Sequence, residues 1–162
     1  MKLKSPIVKI PVSTPTVKQN LGAFGEMIVA RTCQCPRCKR SKTLKRLPPN
    51  FKCADLICDF CGFLGQVKAS TTRDVNVLPR TLLGAAWGPQ KARMDAAIYF
   101  PLYLVLVTTD MKHHAIYYLS ADLQPPELFL QRKPLSETAR RAGWTGFLYN
   151  VHSVRDRFVR LI

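Results

Sequence analysis

Acidic residues are scarce in this sequence of 162 residues. It holds 10 Asp and Glu against 25 Lys and Arg, which gives a formal net charge of +15 at pH 7. This balance favours a polyanionic partner such as a nucleic acid, because Lys and Arg neutralise phosphates and release their counterions. An anionic membrane surface is the weaker alternative, since the basic residues are spread along the chain and form no amphipathic stretch.

Long hydrophobic runs are also missing. The longest apolar stretch, AAIYFPLYLVLV at 96–107, is shorter than the ~18 residues that span a bilayer, and it contains Pro101. Residues 1–19 lack the apolar segment of a secretory leader, so we expect a cytoplasmic protein with no membrane partner. In that reducing compartment, cysteines bind metal more often than they form disulfides.

The remaining composition suits a folded domain. At 47% hydrophobic residues the chain can bury a core, and we find no internal repeat, so residues 1–162 are predicted to form one domain. Helices are predicted at 21–31 and from about residue 81 to Trp87, where Gly88-Pro89 should end the helix or start another. Strands are predicted at 51–57, 63–69, 99–108, 114–119, 147–150 and 157–161.

Four of the six cysteines form two CxxC pairs, Cys35-Pro-Arg-Cys38 and Cys58-Asp-Phe-Cys61. Each pair holds two thiolates on one turn, and two such turns close a tetrahedral site typical of structural zinc. The alternatives are ordinary buried cysteines or a redox CxxC, which two correctly spaced pairs disfavour. Cys33 competes with Cys35 as a ligand, but it completes no CxxC with Cys38.

Three polar residues around the second pair form another pattern. Asp55 ends one predicted strand, while Gln66 and Lys68 lie on one face of the next, with Val67 on the opposite face. If the strands pair as a hairpin, Asp55 converges with Gln66 and Lys68 in the geometry of a D…(D/E)xK site. There, oxygen ligands hold Mg²⁺ against a scissile phosphate and the lysine serves the attacking water. The spacing alone is a weak signal, because exposed Asp and Lys residues often fall at such distances by chance.

Two longer stretches make the pattern more specific. With QVKAS at 66–70 and QRKPLSETARRAGWTG at 131–146, the chain resembles the catalytic domain of the DpnI restriction endonuclease family. The resemblance runs from FGEMIVAR through CPRC and CADLICDFC to the C-terminal segment. It implies an α/β fold with a PD-(D/E)xK restriction-endonuclease-like core, a mixed central sheet flanked by helices, and an inserted zinc knuckle at 35–61. It also implies cleavage of double-stranded, adenine-methylated DNA.

The resemblance assigns roles to individual residues. Asp55 and Lys68 match the metal-binding Asp and the catalytic Lys, and the two CxxC pairs match the four zinc ligands. Glu26 matches an acidic position on the first helix, where it is either an extra metal ligand or a helix-surface charge. Gln66 stands where the family has a second acidic ligand. A carboxamide keeps a carbonyl oxygen but removes one negative charge, so Mg²⁺ affinity should fall unless phosphate or another carboxylate compensates.

The leading hypothesis is a restriction-type DNA endonuclease that depends on Mg²⁺, with Mn²⁺ as a substitute. Asp55 and the carbonyls of Gln66 and Val67 would hold this metal, and Lys68 would serve the water. QxK versions of the site occur in other active nucleases of the superfamily, so Gln66 does not exclude activity. The alternative is a zinc-stabilised DNA-binding module whose nuclease site has decayed. The family's C-terminal winged helix has no counterpart here, so specificity is expected to be relaxed or supplied by a partner.

Basic residues in the 131–146 block are the predicted DNA contacts. They are Arg132, Lys133, Arg140 and Arg141, with Trp144 beside them. Arginine binds phosphate or reads guanine, and a tryptophan stacks on a base or wedges beside it. The alternative is a solvated basic face with Trp144 in the core.

Overall fold

A computed structural model describes residues 17–49, 51 and 54–162. Within these residues the strands are β1 (Leu44–Arg46), β2 (Leu56–Cys58), β3 (Leu64–Thr72), β4 (Leu82–Ala86), β5 (Leu102–Thr108), β6 (His114–Leu119), β7 (Phe129–Gln131), β8 (Gly146–Tyr149) and β9 (Val159–Arg160). The helices are α1 (Val17–Thr32) and α2 (Trp87–Asp95), with short 3₁₀ helices at Ala121–Leu123, Pro126–Leu128 and Val151–Arg157. No helix in this part of the chain is long and apolar enough to cross a membrane.

The strands form two sheets. The central sheet is mixed and has the order β1-β2-β3-β5-β6-β9, and a smaller sheet has the order β4-β8-β7. In the centre, β5 is buried along LYLVLV, which is typical of a strand covered on both faces. Its even-numbered residues pack toward the smaller sheet, and its odd-numbered residues pack toward α1 and the cysteine turns. The central sheet therefore has a hydrophobic core on each face.

The strand β3 joins the two halves of the central sheet. It pairs antiparallel with β2, where Leu56 lies opposite Gly65. It pairs parallel with β5, beginning where Gln66 lies opposite Leu102. The start of β3 thus pairs with the short strand that follows Asp55, and the rest of β3 pairs with β5, the most buried of the described strands.

The predicted α/β architecture with a mixed central sheet and flanking helices is confirmed. The strand predicted at 114–119 coincides with β6, and the helix predicted at 21–31 lies within α1. The strand predicted at 51–57 is too long, since β2 begins only at Leu56. Residues 52 and 53 of that prediction lie outside the described part of the chain.

The helix predicted from residue 81 is wrong over 82–86, which form β4. This strand pairs with β8, and Gly84 permits the pairing because a Cβ there would lie 2.3 Å from the ring of Phe147. The helix α2 starts only at Trp87 and holds Pro89 in its first turn, where a missing N–H breaks no helical hydrogen bond. Pairing with a distant strand has overridden a local helical pattern.

Another glycine sets the distance between α1 and β3. A Cβ on Gly25 would lie 2.9 Å from the Cβ of Ala69 and 3.4 Å from Cγ1 of Val67. Two such carbon atoms do not approach so closely without displacement. The helix therefore lies tight against the sheet at the residue immediately before Glu26.

Because of this contact, substitution of Gly25 and substitution of Gly22, both on α1, should change the stability of the protein in opposite directions. We expect Gly25→Ala to destabilise the protein by about 1–3 kcal/mol, because the added methyl overpacks the interface even though alanine is the better helix former. Gly22→Ala is the matched control, since its Cβ would meet nothing within 4 Å. We expect this control to stabilise the protein by up to about 1 kcal/mol. Urea unfolding measures both changes, and shifts of the same sign would contradict the tight packing.

Candidate functional site

The two cysteine turns meet in space. The sulfur atoms of Cys35, Cys38, Cys58 and Cys61 all lie within 4.8 Å of one another. Cys35 and Cys58 are buried, and the other two are half-buried. Cys33 is also buried but lies outside this group. The two CxxC pairs identified in the sequence are therefore the thiols that converge.

Two of these thiols have opposite electrostatic environments. Burial raises the pKa of the Cys35 thiol to about 12. Burial raises the pKa of the Cys58 thiol, but hydrogen bonds from Thr43 and from the backbone of Cys61 and Phe60 outweigh that effect and lower the pKa to about 6. The thiolate is the form that ligates metal. The donor set and its compactness fit a tetrahedral four-cysteine zinc site.

The second cysteine turn is also the connection between β2 and β3. The N–H of Cys58 donates to the carbonyl of Phe63 at 2.8 Å, and the N–H of Gly62 donates to the carbonyl of Cys58 at 2.9 Å. Gly62 has a φ of 73°, a left-handed conformation that glycine adopts without steric cost. The turn that presents Cys58 and Cys61 thus sets how β2 and β3 align.

Asp55 lies just before β2 and is tied to β3 by two hydrogen bonds. Its N–H donates to the carbonyl of Gly65 at 2.9 Å. Its Oδ2 accepts a hydrogen bond from the N–H of Val67 at 2.7 Å. The structure therefore brings Asp55 to the segment that carries Gln66 and Lys68.

The side chains along β3 alternate as expected. Val67 is 8% exposed and packs in the core beneath α1, whereas Gln66 and Lys68 are half-buried and lie on the opposite face. Burial lowers the pKa of Lys68, and the carboxylates of Asp55 and Glu26 oppose this shift. Lys68 therefore lies within electrostatic reach of two acidic groups.

Glu26 faces this group from α1. Its Oε2 accepts a hydrogen bond from Nε of Arg46 at 3.1 Å and forms an ion pair with Nη2 of Arg46, also at 3.1 Å, and its side chain is 25% exposed. Burial raises the pKa of Glu26; the Arg46 hydrogen bond opposes the rise and the nearby Asp55 adds to it. Glu26, Arg46 and Asp55 line one cavity of about 530 Å³. Glu26 is therefore placed at the same site as Asp55.

The structure adds a residue that the sequence motifs do not identify. Tyr149 on β8 is 2% exposed, and its hydroxyl donates to Oε1 of Gln66 at 3.3 Å. Its ring packs against Phe129 and Phe147. A weak signal was present in the sequence, because alternation along the strand predicted at 147–150 places this tyrosine on the same face as Phe147. A buried tyrosine hydroxyl normally needs a hydrogen-bond partner.

The predicted DNA contacts lie on the loop between β7 and β8. Its basic members are all exposed: Arg132, Lys133, Arg140 and Arg141. Trp144 is half-buried and covers Gly146, where a Cβ would lie 2.6 Å from the indole ring. The Arg141 guanidinium lies 4.9 Å from the centre of the Trp144 ring. The tryptophan is thus packed on its own loop, and the basic side chains beside it reach solvent.

A comparison with known protein families gives a match over nearly the whole chain. The DpnI family model, described as the Dam-replacing family, matches residues 12–161. The matched range includes both cysteine turns, Glu26, β3 and the β7–β8 loop. The resemblance that the sequence motifs indicate is confirmed over that range.

Proposed function

The chain belongs to the DpnI family, and we propose that it is a restriction-type endonuclease with a zinc knuckle and a Mg²⁺-dependent site at β3. This family implies a restriction-type nuclease acting on methylated DNA. The observation that carries the proposal is the grouping of Asp55, Glu26 and Lys68 beside Gln66. A reducing cytoplasm is the setting we assign, because the zinc-binding thiols must stay free to ligate metal.

We assign the catalytic cation to Asp55, with the carbonyl oxygens of Gln66 and Val67 as further ligands. Mg²⁺ takes oxygen ligands of this kind, and Mn²⁺ accepts the same set. Asp55 engages Oδ2 with the Val67 N–H, and its other carboxylate oxygen is the one we assign to the cation. When bound, the cation polarises the scissile phosphodiester and lowers the pKa of a water molecule.

Glu26 supplies the negative charge that Gln66 lacks. It lines the same cavity as Asp55, and its pKa is raised by burial and further by that second carboxylate. Two carboxylates held close together repel each other, and a divalent cation between them relieves the repulsion. This arrangement favours a metal-ligand role for Glu26 over a helix-surface charge. The hydrogen bond and ion pair with Arg46 hold its carboxylate in place.

Lys68 serves the attacking water. It is half-buried beside two carboxylates, and burial lowers its pKa. A lysine with a lowered pKa is suited to exchange a proton with water. In the proposed hydrolysis the water oxygen attacks phosphorus, its proton passes to Lys68, one P–O bond breaks and solvent protonates the leaving oxygen.

The exposed basic residues supply the DNA-binding surface. On the β7–β8 loop, Arg140 and Arg141 would contact phosphates, and the partly exposed Trp144 would lie against a base. On the zinc knuckle, the guanidinium of Arg40 lies 3.6 Å from the centre of the Phe60 ring, which is 57% exposed. Both surfaces carry basic residues, and the net charge of +15 favours the binding of DNA by the chain as a whole.

Digestion of plasmid DNA tests the proposal. We expect adenine-methylated plasmid to be cut with Mg²⁺ or Mn²⁺ at least about tenfold faster than unmethylated plasmid, the discrimination that one methyl group in an apolar pocket provides. Asp55→Asn should abolish cutting. The matched control Asp59→Asn, in an exposed pair with Lys45, should not. If the wild-type protein binds both plasmids but cuts neither, the chain is instead a DNA-binding module with a decayed site.

A further inference from the structure

Gln66 differs from the other proposed ligands because its side chain has two chemically different ends. The carboxamide carries an oxygen that accepts hydrogen bonds and ligates cations, and an NH₂ group that does neither. A turn of about 180° at the end of the side chain exchanges them with little change in shape. A cation site that uses Gln66 therefore needs something that selects the oxygen.

We propose that Tyr149 is a positioning residue that holds the carbonyl oxygen of Gln66, rather than its NH₂ group, at the cation site. This role rests on the proposed cation site. The Tyr149 hydroxyl donates to Oε1 of Gln66 at 3.3 Å. A carbonyl oxygen has two lone pairs, so Oε1 can accept this hydrogen bond and also ligate a cation.

The hydroxyl is well placed to act as a fixed donor. Tyr149 pairs with Leu82 on one side and with Phe129 on the other, so its backbone is held in the middle strand of the smaller sheet. A tyrosine hydroxyl carries its proton at neutral pH and can therefore donate it. The ring contacts with Phe129 and Phe147 restrict its movement.

The need for such a donor is specific to glutamine. A glutamate at position 66 would have two equivalent oxygens, and either orientation would present one to the cation. The Tyr149 hydroxyl should therefore matter when residue 66 is Gln and matter much less when it is Glu. A purely structural role for Tyr149 would not depend on this choice.

Mn²⁺ binding to four proteins tests the inference. They are the wild type, Tyr149→Phe, Gln66→Glu and the double variant, and loss of the free-Mn²⁺ electron paramagnetic resonance signal reports binding without any DNA. We expect Tyr149→Phe to weaken Mn²⁺ binding by about tenfold or more in the Gln66 background, as removal of a ligand's supporting partner does. In the Gln66→Glu background the same change should weaken Mn²⁺ binding by less than about threefold. The difference between the two backgrounds then measures the coupling between Tyr149 and Gln66.

Tyr117→Phe is the matched control. Tyr117 is 7% exposed, and its hydroxyl donates to the carbonyl of Val75 at 2.8 Å, away from the proposed ligands. This variant should bind Mn²⁺ like the wild type. An equal loss from Tyr149→Phe in both backgrounds, including a loss caused by poor folding, would overturn the positioning role, and so would no loss in either.

DNA cleavage by the same proteins separates this inference from the proposed function. The expected Mn²⁺ pattern without any cleavage would support the role of Tyr149 and overturn the nuclease. Cleavage by wild type without the Mn²⁺ pattern would overturn the role of Tyr149 alone. A failure of all four proteins to bind Mn²⁺ would overturn both the cation site and the positioning role.

Discussion

Lys68→Ala is expected to lower the rate of DNA cleavage by about 10²–10⁴-fold, the contribution usual for a positioned acid–base group. The physical reason is that Lys68 is a basic side chain on β3 that lies near both Asp55 and Glu26. DNA affinity should change little, because one charge is removed from a chain of net charge +15. Single-turnover cleavage measures the first effect, and an electrophoretic mobility shift measures the second.

Lys91→Ala is the control for this change. Lys91 lies on α2, is exposed and pairs with Asp95 one helical turn away, so its loss removes the same charge from a residue that has no part in the proposed chemistry. The same assay separates Lys68 from Glu26. Glu26→Gln should raise the Mg²⁺ concentration needed for half-maximal cleavage, and excess Mg²⁺ should restore the rate. Excess Mg²⁺ should not rescue Lys68→Ala. Wild-type cleavage by Lys68→Ala would remove that residue from the mechanism.

Removal of one cluster thiol is expected to remove the zinc and most of the stability of the fold. Structural zinc contributes roughly 10–16 kcal/mol in small zinc domains, whereas a whole domain is stable by about 5–15 kcal/mol. Cys58→Ala should therefore leave the knuckle without metal and the protein largely unfolded at 37 °C. Because Cys58 ends β2, the loss should extend to Asp55. Zinc content by atomic emission and thermal unfolding by circular dichroism measure the two effects.

Cys33→Ala is the matched control, since Cys33 is buried in the same core but lies outside the cluster. It should retain one zinc ion and lose only about 1–2 kcal/mol, the usual cost of a small cavity. A chelator should act on the wild type as Cys58→Ala does, and excess Mg²⁺ should not restore cleavage. A Cys58→Ala protein that folds normally and keeps its zinc would rule out the four-cysteine site.

The elements that the sequence predicts well depend on local patterns. Most of β5 lies in the long apolar stretch at 96–107, which the core buries on both faces, and β6 is the separate run HAIYYL, in which four of the six residues are buried. The strand β4 could not be predicted in this way, since its conformation depends on β8, which lies some sixty residues further along the chain. The pairing places Gly84 against the ring of Phe147, and no short stretch of sequence around residue 84 reveals that contact.

The residues of the candidate site also differ in whether they are close in the sequence or come from distant parts of the chain. Asp55, Gln66 and Lys68 fall within residues 55–68, so a hairpin pairing of two neighbouring strands predicts that they lie close together, and the family resemblance makes that weak spacing signal specific. Their catalytic roles stay predictions. Tyr149 reaches Gln66 from the far end of the chain, and no spacing rule relates the two residues. The position of Glu26 beside Asp55 likewise depends on how closely α1 approaches β3, which Gly25 decides.

The connection between β3 and β5 has a consequence for the order of folding. These two strands pair in parallel and are connected by residues 73–101. Closing so long a connection is slower than forming the pair between β2 and β3, which are neighbours in the sequence. We therefore expect the knuckle and the Asp55–Val67 contact to form early, and the contacts from β8 to form late. A newly made chain would then take up zinc before its cation site is complete. For the proposed nuclease, this order makes DNA cleavage one of the last properties that the folding chain acquires.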